Sequence, residues 1–173
     1  MNIVLIGMRG SGKSTIGPLL AQRLNRLFLE VDDLITQKTG KSIPEMIHAS
    51  GWDKFRNYES QVVAEIAQTL TDAVIATGGG VVTQQQNIDQ LKTNGILVLL
   101  DCSIETIIKR IGRNKDRPLL TDAPNFAEDL KSVAKDRKKL YEKYADIKIV
   151  TDVANPANIV NSIIEVLETR KII

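Results

Sequence analysis

The sequence predicts an α/β fold of three layers, a five-stranded parallel sheet flanked by helices, and two observations carry the prediction. Short apolar runs of strand length occur at residues 3–6, 74–76, 96–100 and 147–150, with a more mixed one at 28–31. Uniformly apolar runs of this length suit a parallel sheet covered on both faces. The segments between them carry helical patterns, and strands alternating with helices imply right-handed βαβ crossovers.

The helical segments follow in order. Residues 15–27 place Leu19, Leu20, Ala21, Leu24 and Leu27 at helical spacing. Within 42–47, Ser42 and Glu45 have the spacing of a capping box. Between 55 and 70, Val62, Val63, Ile66, Ala67 and Leu70 repeat on one side. Residues 103–111 and 126–144 follow, and 155–173 opens with Asn155-Pro156, a cap before a first-turn proline. The stretch 113–124, dense in charge and proline, lies between two helices and reads either as a mobile lid or as a solvated turn.

A chain of 173 residues, 43% hydrophobic and 25% charged, fits one domain spanning 1–173. A net charge of +2 is too mild to indicate nucleic acid as a partner. The one cysteine, Cys102, permits no intrachain disulfide, suits a reducing cytoplasm, and reads as a small buried hydrophobe. No apolar run reaches the roughly 18 residues of a membrane span. The opening residues read as a strand and not as a signal peptide.

Residues 7–14, Gly-Met-Arg-Gly-Ser-Gly-Lys-Ser, match the G-x-x-x-x-G-K-[ST] phosphate loop between a predicted strand and a predicted helix. Glycines let the backbone curl so that successive N–H groups converge on phosphate oxygens, and the helix N-terminus adds partial positive charge. Lys13 is expected to reach the β- and γ-phosphates, and the Ser14 hydroxyl to ligate Mg²⁺. No N-K-x-D base-reading motif is present, and residues 74–76 end in glycines, not in the acid of a motor ATPase. A small ATP-dependent kinase fits best.

Ligands of open parallel sheets bind beyond the carboxyl ends of the strands, which brings Glu30, Asp32 and Asp33 towards that loop. A carboxylate there orients an acceptor hydroxyl and takes its proton, or holds waters around Mg²⁺. One of Asp32 and Asp33 is expected to cap a helix beginning near Leu34, with Asp33 favoured. Gly78, Gly79 and Gly80 follow a buried strand on the same edge and allow close backbone approach to a small ligand. Arg56 and Arg137, taken singly, read as helix-face charges. His48 reads as a surface residue, and Trp52 as packing or a wall of a substrate pocket.

Together and in this order, these pieces resemble the shikimate kinases over nearly the whole chain. The resemblance rests on the phosphate loop at 7–14, Glu30-Val31-Asp32, Thr39-Gly40-Lys41-Ser42-Ile43, Phe55-Arg56, Gly78-Gly79-Gly80, Arg117-Pro118-Leu119-Leu120, and Arg137 ahead of Tyr141. It implies ATP-dependent phosphorylation of the shikimate 3-hydroxyl, a step in aromatic amino acid biosynthesis, on a nucleoside monophosphate kinase fold with closing lids. By the same resemblance Gly10, Ser11, Gly12, Lys13, Ser14 and Thr15 bind ATP, with Arg110 against adenine and the Asn155-Pro156 turn behind it. Asp32 binds the ring hydroxyls and acts as base. Arg56 and Arg137 clamp the carboxylate, Gly79 and Gly80 offer backbone contacts beside Gly78, and Arg117 reaches the transferring phosphoryl group from the lid. Glu30 stands where the family has aspartate, so the Mg²⁺ water shell falls to Glu30 or to Asp33. A monomer that binds ATP and shikimate is expected, with no nucleic acid or membrane partner. Two other readings remain, a gluconate or nucleoside monophosphate kinase on the same scaffold, and an idle nucleotide-binding module.

Overall fold

The structure is a computed structural model, and it describes residues 1–111, 119–121, 123–152 and 155–173. The strands β1 (Asn2–Ile6), β2 (Leu27–Glu30), β3 (Ala73–Ala76), β4 (Gly95–Asp101) and β5 (Ile147–Val150) form one parallel sheet in the order β2-β3-β1-β4-β5. The helices among the described residues are α1 (Lys13–Leu24), α2 (Val31–Thr39), α3 (Ile43–Thr69), α4 (Gln85–Thr93), α5 (Ile104–Ile111), α6 (Phe126–Tyr144) and α7 (Pro156–Thr169), with a 3₁₀ turn at Val81–Thr83.

Side chains alternate across a strand, and here the alternation divides the core in two. Ile3, Leu5, Val74, Val98 and Leu100 face α1 and α7, meeting Ile16, Leu20, Ile159, Ile163 and Leu167. Val4, Ile6, Ile75, Leu97 and Leu99 face the other way, against Val31, Ile35, Val62, Ile88 and Tyr141 from α2, α3, α4 and α6. Residues such as Ile3 and Leu5 are fully buried, and each buried side chain of this size contributes about 2 kcal/mol of transfer free energy. The edge strand β5 buries only alternate residues and turns Lys148 outward, where it pairs with Asp101 at 2.8 Å. A charge at that edge discourages pairing with another chain.

Several local expectations give way to the fold. The helix expected over 15–27 stops at Leu24, because Asn25 turns left-handed (φ 53°) and Leu27 already begins β2. Leu19, expected on the buried face, is exposed. Val31, expected in the second strand, instead opens α2. Asp33 is not the cap: the extended residue before α2 is Glu30, which makes no side-chain cap bond, so Asp32 and Asp33 fall inside the first turn. They still complement the positive end of the helix there. Ser42 and Glu45 do form the capping box, and the segments expected at 42–47 and 55–70 belong to one element bent at Gly51 (φ 76°). Helix α4 was not anticipated, since Ile88 and Leu91 are its only buried apolar residues. Cys102 is half-buried just beyond β4, where burial raises its thiol pKa. Among the described residues no helix is long and apolar enough to cross a membrane.

Candidate active site

Because β1, β2 and β3 run parallel and adjacent, their carboxyl ends bring the phosphate loop, the Glu30–Asp33 turn and the glycine triplet to one edge. Two cavities open there. The larger, of about 550 Å³, is lined by residues 10–16 of the loop, Glu30, Asp32, Arg110 and Pro156. The smaller, of about 360 Å³, is walled by Asp32, Trp52, Arg56, Glu59, the three glycines, Leu120 and Arg137. Asp32, Gly78, Gly79 and Arg9 line both.

On the loop side, Gly12 sits at φ 108°, a conformation side chains resist, and α1 begins with the next residue. The Lys13 ammonium donates to the carbonyls of Gly7 and Met8, each at 2.8 Å, so the cation is folded back across its own loop. Ser14 Oγ donates to Glu30 Oε1 at 2.7 Å. Arg110 donates to the carbonyls of Ser11 and Thr151 at 3.3 and 2.5 Å, which fixes it at the outer end of the cavity near Pro156. Thr15 is exposed in the first turn of α1.

On the other side, the bend at Gly51 turns α3 so that Trp52, Arg56 and Glu59 face inward. Arg56 pairs with Glu59 at 2.6 Å, three residues on along the helix, and the Glu59 side chain is fully buried. Burial pushes the Glu59 pKa up; the Arg56 charge opposes this, and the Asp32 charge reinforces it. Trp52 meets Phe55 edge-on at 5.8 Å and lies under the Arg56 guanidinium, so it serves as both packing and wall. Arg137 and Tyr141, one turn apart on α6, both donate to the Gly79 carbonyl, Arg137 at 3.0 Å. Burial lowers the Arg137 pKa and lifts that of Tyr141 to about 12, so the phenol stays a neutral donor.

The triple glycine now has a steric reason. A Cβ on Gly80 would lie 2.0 Å from the Arg56 guanidinium, and one on Gly78 would lie 2.6 Å from Glu59 Oε1 and 3.1 Å from Asp32 Oδ1. Side chains there would push apart the charges that the turn gathers.

The chain is similar to known proteins over nearly its whole length. The family model described as shikimate kinase matches residues 9–168. The chain belongs to the shikimate kinase family. A shikimate kinase of Haemophilus influenzae is 40% identical over 167 residues, covering 96% of this chain and 92% of its own. A solved shikimate kinase from Acinetobacter baumannii in complex with shikimate superimposes with a TM-score of 0.93 at 36% identity, covering 98% of this chain and 94% of that one. The shikimate kinase of Aquifex aeolicus gives 0.85 at 34% identity, covering 99% and 98%.

Most residues singled out in the sequence for ATP and acceptor meet at this edge: Gly10, Ser11, Gly12, Lys13, Ser14, Thr15 and Arg110 around one cavity, Arg56, Gly80 and Arg137 around the other, with Asp32, Gly78 and Gly79 shared. Asp33 lies on the rim of the smaller cavity and is exposed. Arg117 lies outside the described residues, as does most of the 113–124 stretch. His48 is an exposed residue of α3. Sequence reasoning passed over Glu59, Arg9 and Asp129. The i,i+3 spacing of Arg56 and Glu59 was the one available signal for the first.

Proposed function

We infer that the chain transfers the γ-phosphoryl group of ATP to the 3-hydroxyl of shikimate, giving shikimate 3-phosphate and ADP, and that residues 1–173 act as one kinase domain in the cytoplasm. The observation that carries this reading is Asp32, which lines both the phosphate-loop cavity and the cavity walled by Arg56 and Arg137. An acid at that junction faces acceptor hydroxyls on one side and phosphate on the other.

Phosphoryl transfer asks the protein chiefly to position reactants and absorb charge. The shikimate carboxylate enters between Arg56 and Arg137, whose planar forks suit bidentate pairing. Glu59 holds Arg56 in place, and the Gly79 carbonyl holds Arg137. With the carboxylate anchored, the ring hydroxyls turn towards Asp32. Asp32 accepts a hydrogen bond from the attacking hydroxyl and takes its proton as the new P–O bond forms and the bond to the leaving ADP oxygen breaks. The loop N–H groups and Lys13 gather the phosphate charge. Lys13 must leave the carbonyls of Gly7 and Met8 to do so, and the stronger attraction of phosphate drives the exchange. Arg110 lies against adenine, and Arg117 is assigned to the transferring group on the strength of the family resemblance.

Hard oxygens suit Mg²⁺, and the 2.7 Å contact between Ser14 Oγ and Glu30 Oε1 sets a hydroxyl beside a carboxylate at the loop. Ser14 would be the direct ligand, and Glu30 would hold the ion through water. A bound Mg²⁺ would supply charge neutralisation for the phosphates.

A coupled assay of ADP release with ATP, Mg²⁺ and shikimate tests the reading, beside quinate, gluconate, AMP and no acceptor. Release that depends on shikimate is expected. Release that depends on gluconate or AMP instead would keep the phosphate loop and discard the clamp, and none with any acceptor despite ATP binding would point to an idle module.

A further inference from the structure

Arg9 is the third residue of the phosphate loop, at a position the loop motif leaves open, yet it borders both cavities. Its Nη2 donates to Asp129 Oδ2 at 2.6 Å; the Arg9 side chain is 9% exposed and that of Asp129 is 0%. The guanidinium also stacks over Phe126, the first residue of α6, at 4.9 Å. Asp129 divides its two oxygens between two tasks. Oδ2 takes Arg9, while Oδ1 accepts from Leu120 N at 2.9 Å, Thr121 N at 2.7 Å and Thr121 Oγ1 at 2.9 Å.

Helix α6 also carries Arg137, eight residues beyond Asp129, which is about 12 Å along the axis at 1.5 Å per residue. The helix is thus tied at Asp129 to the phosphate loop, and at Arg137 and Tyr141 to the Gly79 carbonyl. Leu120, held through Oδ1, stands in the wall of the acceptor cavity. One buried carboxylate therefore links the element that grips ATP, the helix that grips the acceptor anion, and a wall of the acceptor cavity.

We propose that Arg9 and Asp129 are a positioning pair for phosphoryl transfer: their buried ion pair sets the distance and angle between the phosphate loop and the acceptor clamp on α6. The role rests on the kinase reading above. A nucleophile and phosphoryl donor carried by separate elements react efficiently only when held in near-attack geometry, and a misplacement of about 1 Å can cost about a hundredfold in rate. Arg9 Nη2 is committed to Asp129, and the pair acts through alignment.

The split of the two oxygens permits a clean test. Asp129→Asn keeps an acceptor oxygen for Leu120 and Thr121 and replaces only the atom that faces Arg9. Arg9→Met fills the volume of the stem without charge. The double variant R9M/D129N removes both charges of the buried pair together and retains the Oδ1 contacts. It is compared with wild type and with R9K, which restores a cation, in full-chain protein assayed with ATP, Mg²⁺ and shikimate. The readouts are thermal midpoint, ADP affinity, kcat, shikimate KM, and ADP released per shikimate phosphorylated. For R9M/D129N we expect a midpoint close to wild type and ADP affinity within about threefold, while kcat falls about ten- to hundredfold and the ADP-to-product ratio rises above one. R9K, in the wild-type Asp129 background, should recover most of kcat and bring the ratio back to one. Wild-type kcat and stoichiometry in the double variant would overturn the proposal, as would a loss of kcat that follows the loss of thermal stability and vanishes on cooling. Absence of shikimate-dependent release from wild type itself would overturn the reading beneath it, a result distinct from either.

Discussion

The two halves of the candidate active site are built in opposite ways. The phosphate side is made largely of consecutive residues and of backbone: a curled loop, a helix N-terminus and one lysine folded across it. The acceptor side is made of side chains from α2, α3 and α6 around a glycine turn; Arg56 is held by Glu59 one turn along its own helix, and Arg137 by Gly79, far from it in sequence. A site made of backbone needs only the right local conformation, so it survives as a short motif. A site made of converging side chains depends on how helices pack, and its parts look like ordinary surface charges until they meet.

The comparison can be broken first at the junction. Asp32→Asn should lower kcat about 10²–10⁴-fold, the usual reach of general acid–base help, with both substrates still binding. Near-normal turnover in a steady-state assay would remove Asp32 as the base. On the phosphate side, Lys13→Met should reduce kcat about 10²–10³-fold, the usual effect of losing one donor to developing charge. Shikimate affinity, read by calorimetry without nucleotide, should hardly change.

Arg137→Ala is the mirror experiment. It should weaken shikimate binding about 10–100-fold, corresponding to a charged hydrogen bond of roughly 1.5–3 kcal/mol, and leave ATP affinity nearly intact. Equal losses of both affinities would mean that the two halves are not separable in this way.

The smallest effect concerns Glu59. Its folded-state pKa is raised above the ordinary 4.5 because burial disfavours the charge, despite Arg56. A raised pKa means that this group's contribution to stability is fully present below the unfolded value and is lost as pH rises through the folded one. Glu59→Gln removes that dependence. The melting temperature of wild type minus that of E59Q should therefore be larger below about pH 4.5 than above the raised pKa. At neutral pH the variant should melt close to wild type yet bind shikimate a few-fold more weakly, since Arg56 loses its anchor; a flat difference across pH would show that Glu59 is not shifted.

Much of this was readable from residue order, though unevenly. The five strands were legible because a parallel sheet covered on both faces leaves nearly continuous apolar runs, as in β1 and β4. The mixed run at 28–31 misled by one residue: Val31 is apolar and buried, but it belongs to α2. Helix α4 escaped notice because two apolar residues do not make a period, although Ile88 and Leu91 are enough to seat it. The capping box of Ser42 and Glu45 and the Asn155 cap were read correctly because capping is settled within four residues. The choice of Asp33 as a cap failed because the start of α2 is set by where β2 leaves the sheet.

The sequence by itself determined the α/β class, the phosphate loop with Lys13 and Ser14, and, through family resemblance, the acceptor. Each rests on interactions between near neighbours or on a pattern repeated along the chain. Tertiary structure alone decided that Glu59, which steadies Arg56, is buried, that Gly78 and Gly80 leave room for the Arg56 and Glu59 side chains where they now lie, and that Arg9 reaches across to Asp129. These depend on segments brought together by packing on the two faces of the sheet, and burial gives the charges their strength only after that packing has excluded water.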